Sequence, residues 1–459
     1  MVKPPPLQKI GMSRVVRSSK YRHVFGTQAK KEECYQNLKV TKSAWDSNYI
    51  AANTKYFGVI WDAGGGGSFA VVPYEAQGKI SQTSVPLFNG HKNAVLDIAF
   101  HSFNENLVAS VSEDCSTCIW GIPEGGLTES ISTPLQTLTG HKRKVGTCSF
   151  NPVADNVLVT SSGDFLVKTW DVEQGSCLNT IEGHSDIILS VEWNGNGSQL
   201  VTTCKDKKAR VFDPRSNSIS LEVVAHQGVK NSRAIFVKDK VVTVGFSKTS
   251  ERELNMWDPR NFAEPITHLN IDSASGLLMP FYDPDNSILY MAGKGDGNIR
   301  YYEVVDESPY LHFLSEFKTA TPQRGLCFVP KRALQINECE IARALKVTTN
   351  SVEPIAFKVP RKSDIFQDDI FPDTYAGEPS LTAEQWASGQ NAEPKTISLA
   401  NGFVAKKPTT EFKPVVKVQE GPKNEKELRE EYEKLKTRVA YLESEIVKRD
   451  ARIKELESK

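Results

Sequence analysis

The chain has 459 residues, and its 56 Lys/Arg balance 56 Asp/Glu, so its formal net charge is zero. No window of 18 apolar residues exists, so no transmembrane segment is expected, and nucleic acid is not an expected partner. Eight cysteines, at 34, 115, 118, 148, 177, 204, 327 and 339, follow no framework spacing; most lie in apolar runs, the usage of a reduced cytosolic protein.

The first ten residues have no apolar core and no cleavage site, so no signal peptide is expected. Residues 1–42 hold ten Lys/Arg against Glu32 and Glu33, a local charge of +8. Such a segment steers an acidic partner. Tyr21, Phe25 and Tyr35 are interleaved and imply that it folds. Lys20, Arg22, Lys30, Lys31, Lys39 and Lys42 are its candidate contacts. In 45–73 strand-like runs flank turn residues, beginning with Ser43, Ala44 and Trp45. Glycines 64–67 lack the Gly-Lys-Ser/Thr of a phosphate loop and read as a hairpin turn.

From there a motif repeats. Gly90-His91 precedes Trp120, Gly140-His141 precedes Trp170, Gly183-His184 precedes Phe212, and Ala225-His226 precedes Trp257; a weaker copy runs from His268 to Tyr301. The histidines step by 50, 43, 42 and 42 residues, the first step lengthened by an inserted Gly-Ile-Pro-Glu-Gly-Gly loop. This is the period of a WD40 repeat, one four-stranded propeller blade per unit. Six blades fit into 45–304. A seventh assembles from strands in 322–360 and an early strand near 14–25, closing the ring and removing its sheet edges.

Each blade is expected to be pinned by a His, a Ser/Thr of the second strand, a turn Asp and an aromatic. The sets are His91, Ser110, Asp114, Trp120; His141, Thr160, Asp164, Trp170; and His184, Thr202, Asp206, Phe212. Phe212 donates nothing, so the third network is shorter by one bond. The sets recur, whereas an active site occurs once, so they are read as structural. The lone pair Cys115 and Cys118 lacks the other ligands zinc needs. Gly293 to Asn298 resembles a calcium loop without its closing glutamate and occupies the place of a blade's Asp turn. No catalytic residue, metal or cofactor is expected, and the chain does not read as an enzyme.

The fold class is all-β: a seven-bladed β-propeller with a packed C-terminal extension, a flexible linker and an α-helical coiled coil. The propeller is assigned to 1–329, its last blade running to about 360. Residues 330–390 form the extension. Pro408, Pro414 and Pro422 make 391–423 a linker. In 424–459, Tyr432, Val439, Ile446 and Ile453 fall at heptad position a. Leu428, Leu435, Leu442, Arg449 and Leu456 fall at d. Glu431–Lys436, Arg438–Glu443 and Arg452–Glu457 attract across a parallel register, and Glu445–Asp450 repels. Branched a residues with leucine at d lean to dimers. Arg438 at g, Val439, Leu442 and Glu443 at e resemble a trimer-specifying motif, and a parallel homotrimer is the reading adopted.

Ser18-Ser-Lys-Tyr-Arg-His-Val-Phe25, the repeats, Val359-Pro-Arg-Lys-Ser-Asp-Ile-Phe-Gln-Asp-Asp369, Phe371-Pro-Asp-Thr374 and the C-terminal heptads together resemble the coronin family, closest to the short coronins of social amoebae. The resemblance implies a seven-bladed propeller that binds filamentous actin. It implies action at the actin-rich cortex, leading edge and phagocytic cups, in motility, phagocytosis and cytokinesis. It further implies contact with the actin-related nucleation complex, mainly through the coiled coil. A basic position that members use on filaments matches Lys39, where many animal members have Arg; lysine keeps the charge but loses the planar fork. The rival is a generic WD40 adaptor for acidic peptides or lipids in ubiquitin ligation or vesicle traffic.

Overall fold

The computed structural model describes residues 17–403 except 83, 217, 363 and 364, then 412–414. Toward the C-terminus it describes 429, 432, 433, 436, 437, 439, 440, 444, 446 and 449. The chain divides into two units, Met1–Pro414 and Val415–Lys459. Among the described residues of the first, seven sheets, antiparallel but for the short parallel pair of Tyr35–Gln36 with Gly78–Lys79, pack face to face in a ring.

The third blade shows why these residues make a blade. Val145–Phe150, Val157–Ser162, Val167–Asp171 and Ser176–Ile181 follow one another as a meander. All six residues of Val157–Ser162 are buried, because neighbouring blades cover both faces of the sheet. Alternation is therefore lost in the middle strands, and a continuous branched and small apolar run replaces it. Phe165 closes the second turn in the left-handed region at φ 70°.

The first blade begins at Ile50–Ala52 and the sixth ends at Leu311–Lys318. The seventh takes Gly325–Phe328, Glu340–Val347 and Ser351–Lys358 from late in the chain. Phe25–Gln28 completes it as outer strand, paired Phe25 to Lys358 and Gln28 to Ile355. A cluster including Tyr290, Tyr301, Leu326, Ile341 and Phe357 joins the sixth and seventh blades.

The meander sorts the loops onto two faces. Links between blades, and turns between second and third strands, lie on one face, here called upper. Turns between first and second strands, and between third and fourth, lie on the lower face. The segment 359–403 crosses the lower face. Asn286 donates to the Ile370 carbonyl at 2.7 Å, Tyr375 Oη to that of Pro152 at 3.0 Å, and Trp386 Nε1 to that of Gly197 at 2.8 Å. Trp386, on the short helix Ala383–Ala387 capped by Thr382, stands edge-on to Trp193. The sequence boundary at 391 is corrected here. Asn391 accepts from Arg215, Thr396–Ile397 pairs with Thr374–Tyr375, and Leu399 is buried, so 391–403 is packed arm, not linker.

In the second unit the ten described residues are helical. Tyr432, Val439 and Ile446 are 62%, 51% and 58% exposed on it in the single chain. Leu428, Leu435, Arg438, Leu442, Glu443, Ile453 and Leu456 lie outside the described residues.

Candidate functional site

The blade networks lie beneath the upper face. His91 Nδ1 is 3.0 Å from Asp114, its Nε2 is 2.7 Å from Ser110 Oγ, and Trp120 Nε1 donates to the same hydroxyl at 2.8 Å. In the third blade His141 stands 3.1 Å from Asp164 and 2.9 Å from Thr160, which accepts from Trp170. The two differ electrostatically. Burial resists charging of both histidines. Around His91, Asp114 and Cys118 overcome it and hold the ring at about 9, while around His141, near Lys168, burial prevails and the value falls below the ordinary one.

The third set departs from expectation by more than Phe212. Thr202 accepts or donates at 2.9 Å from His184 Nε2, but Asp206 binds Arg210 at 2.6 Å and Ser185 at 2.8 Å, and Nδ1 of His184 has no partner. Arg210, almost fully buried, out-competes a neutral imidazole for the carboxylate. Burial and Arg210 together push His184 down to about 4. Two braces escaped the sequence reading. In the fifth blade His226 contacts Glu253 at 2.8 Å and Thr243 at 3.0 Å, and Trp257 donates to Thr243. Between the fifth and sixth blades, Arg252 binds Asp272 and Asp296, each at 2.6 Å. His268 opens no blade; it lies on the outer strand Thr267–Asp272 and meets Asn255 at 2.7 Å.

The basic candidates divide between the faces. Lys20 and Arg22 precede the strand Phe25–Gln28 at its lower end, Lys20 bonded to the Asp369 carbonyl and Arg22 to that of Arg17 at 2.6 Å. Lys30, Lys31, Lys39 and Lys42 lie past its upper end, all exposed. Their carrier is rigid: Tyr35 is buried edge-on against Phe57, and its hydroxyl donates to the Tyr74 carbonyl at 2.8 Å. Leu38 and Val40 are buried on either side of Lys39, which turns Lys39 outward. Lys42 pairs with Asp62 at 3.0 Å. Lys79 joins this patch, because Gly78–Lys79 pairs alongside Tyr35–Gln36.

The segment after Lys42 is not a strand, contrary to the reading of Ser43, Ala44 and Trp45. Thr41, Ser43 and Ser47 bond through their hydroxyls to backbone N–H groups two residues on, the local turn chemistry of these side chains. The resulting coil crosses the upper mouth of the ring's central channel, bonding to residues of the third, fifth and sixth blades. Trp45 Nε1 donates to the Gly146 carbonyl at 2.9 Å, with Lys144 over its ring. Asp46 accepts from Asn231 at 2.5 Å and from Lys294 at 3.3 Å. Burial draws Lys294 down to about 8 against the pull of Asp46. Arg233 and Arg324 bond to the carbonyls of Asp46 and Thr41. Nothing periodic marks these cations in the sequence. Among the described residues no group of three or more His, Cys, Asp or Glu could hold a metal.

Known proteins agree with this geometry. Residues 14–79 match a domain of unknown function (DUF1899). Residues 82–121, 132–171 and 175–213 match the WD domain, G-beta repeat, and 352–394 match a type of WD40 repeat. A solved WD40 domain from Toxoplasma gondii coronin is 32% identical, with a TM-score of 0.78, over 82% of this chain and 97% of that one. A chain of a Mitotic Checkpoint Complex structure shares the fold at 13% identity and a TM-score of 0.54. Coronin-A of Dictyostelium discoideum is 82% identical over 445 residues, 97% of this chain and all of that protein. With that identity over nearly its whole length, the chain belongs to the coronin family.

Proposed function

We propose that this chain is a scaffold that binds filamentous actin through the upper-face patch of Lys30, Lys31, Lys39 and Lys42 and gathers several propellers through its C-terminal helix. One observation carries the reading: four lysines of one short segment are exposed together on a rigid coil between the seventh and first blades. An acidic filament matches their charge. Linked propellers engaging one filament gain avidity, by about 10²-fold or more. The same reading includes contact with the actin-related nucleation complex and action in the cytoplasm, at the cytoskeleton of the cell cortex, in motility, phagocytosis and cytokinesis. Lys20 and Arg22, at the opposite face, are left out of the contact.

Co-pelleting tests it. Lys39→Glu, alone or with Lys42→Glu, weakens pelleting with filaments far more than Lys395→Glu on the lower face. Lys79 is unsuitable as a remote control because it borders the patch. Folding survives, since exposed changes cost under about 0.5 kcal/mol. Unchanged pelleting of a folded fourfold reversal at 30, 31, 39 and 42 places the contact elsewhere.

A further inference from the structure

Beside the coil that crosses the channel mouth, a cleft of about 610 Å³ opens on the upper face over the fifth, sixth and seventh blades. Lys230, Lys294 and Arg324 line it against a single carboxylate, Asp46. Phe246 is buried beneath Lys230, whose ammonium is 4.6 Å from the ring centre, and Val229, beside Lys230 at the rim, is 82% exposed. The chain itself displays what this mouth accepts. Lys294 takes the carbonyl of Trp45 at 2.9 Å and the carboxylate of Asp46 at 3.3 Å, and Asn231 holds the same carboxylate at 2.5 Å. Asp46 thus satisfies the inner end of the cleft with an acidic residue flanked by an aromatic one. Toward the rim the same chemistry continues: Lys230 is exposed and spends its ammonium on a ring face and a 3.3 Å contact with the Ser275 carbonyl.

We propose that this cleft docks an acidic segment of a partner protein other than the filament. A carboxylate of the segment pairs with Lys230, and an apolar side chain beside it packs on the exposed Val229. The charge-assisted bond at the rim fixes the segment's register, and Val229 favours segments that carry such a side chain. Thr349, in the turn of the seventh blade, borders both this cleft and the surface that holds Lys39 and Lys42, so the two sites are neighbours with different lining lysines.

Fluorescence anisotropy with the full chain tests it. The probe is a labelled glutamate-rich dodecapeptide with one central phenylalanine, set against the same peptide with lysine for glutamate. The acidic probe binds saturably and the basic one does not. Lys230→Glu weakens the acidic probe about tenfold, and Val229→Asp, on a different exposed residue, weakens it in the same direction. Lys395→Glu leaves it unchanged, as does a thermal melt for the folding of each variant. Lys230→Glu retains filament co-pelleting. The proposal is overturned by absence of saturable binding, by equal loss with Lys395→Glu, or by joint loss of peptide binding and co-pelleting in Lys230→Glu, which would make the cleft part of the filament contact.

Discussion

At the scale of single residues, one spacing serves different chemistry from blade to blade. Asp164 accepts from His141 and from the Lys142 N–H, so Asp164→Ala leaves the buried His141 without its acceptor and costs about 1–3 kcal/mol, readable as a shift in the urea midpoint. His184 carries a separate prediction. Its folded value of about 4 lies below the ordinary 6.5, so the unfolded chain takes up the proton first. Its contribution to stability is complete above about pH 6.5 and is lost as pH falls toward 4, at up to about 1.4 kcal/mol per pH unit. His91 has the opposite sign and is charged in both states in that window. Unfolding titrations from pH 7 to 5 then show a shallower slope in His184→Gln than in the unaltered chain; parallel slopes would contradict the assignment. The first two networks were legible in the sequence because His, Ser/Thr, Asp and Trp recur at fixed offsets. The third was misread because Arg210 takes the carboxylate, a competition decided in three dimensions. The fifth was missed because Glu253, on the strand, replaces a turn Asp.

At the scale of elements, the lower-face arm is held by few but well-buried anchors. Trp386 meets Trp193, donates to Gly197 and carries Arg215 over its ring at 5.5 Å. Trp386→Ala removes all three, with a loss of about 3–5 kcal/mol for such a truncation. Limited proteolysis checks it: cleavage within 370–403 accelerates while the blades stay resistant. Equal protection in the variant would mean that the strand pair Thr374–Tyr375 with Thr396–Ile397 anchors the arm by itself. The period of the blades was readable because neighbouring sheets bury both faces of each middle strand. The arm has no such repeat. Leu399 is a single buried apolar residue amid polar ones, and a two-residue strand leaves no alternation to detect. The coil over the channel mouth was opaque for a related reason, since its partners, Gly146, Asn231 and Lys294, come from three distant blades.

At the scale of the whole molecule, the propeller is closed by joining Phe25–Gln28 to Ser351–Lys358, which fixes the basic segment at one junction of the ring. In the proposed function, the C-terminal helix repeats that patch. Tyr432, Val439 and Ile446 recur every seven residues and stay more than half exposed in one chain. A stripe so narrow and so regular suits coverage by like helices. Arg438 and Glu443, at g and the following e, select three strands in this reading. Light scattering on the full chain at tens of micromolar then gives the mass of three copies. Arg438→Ala keeps the apolar seam but removes the charge pair, and shifts the mass toward two copies or one. Because avidity needs several propellers on one filament, the same variant loses co-pelleting even though Lys39 and its neighbours are intact. A mass of two copies for the unaltered chain refutes the trimer and leaves the filament site standing. A trimeric Arg438→Ala variant that still pellets normally removes Arg438 from the assembly and returns the choice of three strands to Tyr432 and the other residues of the seam.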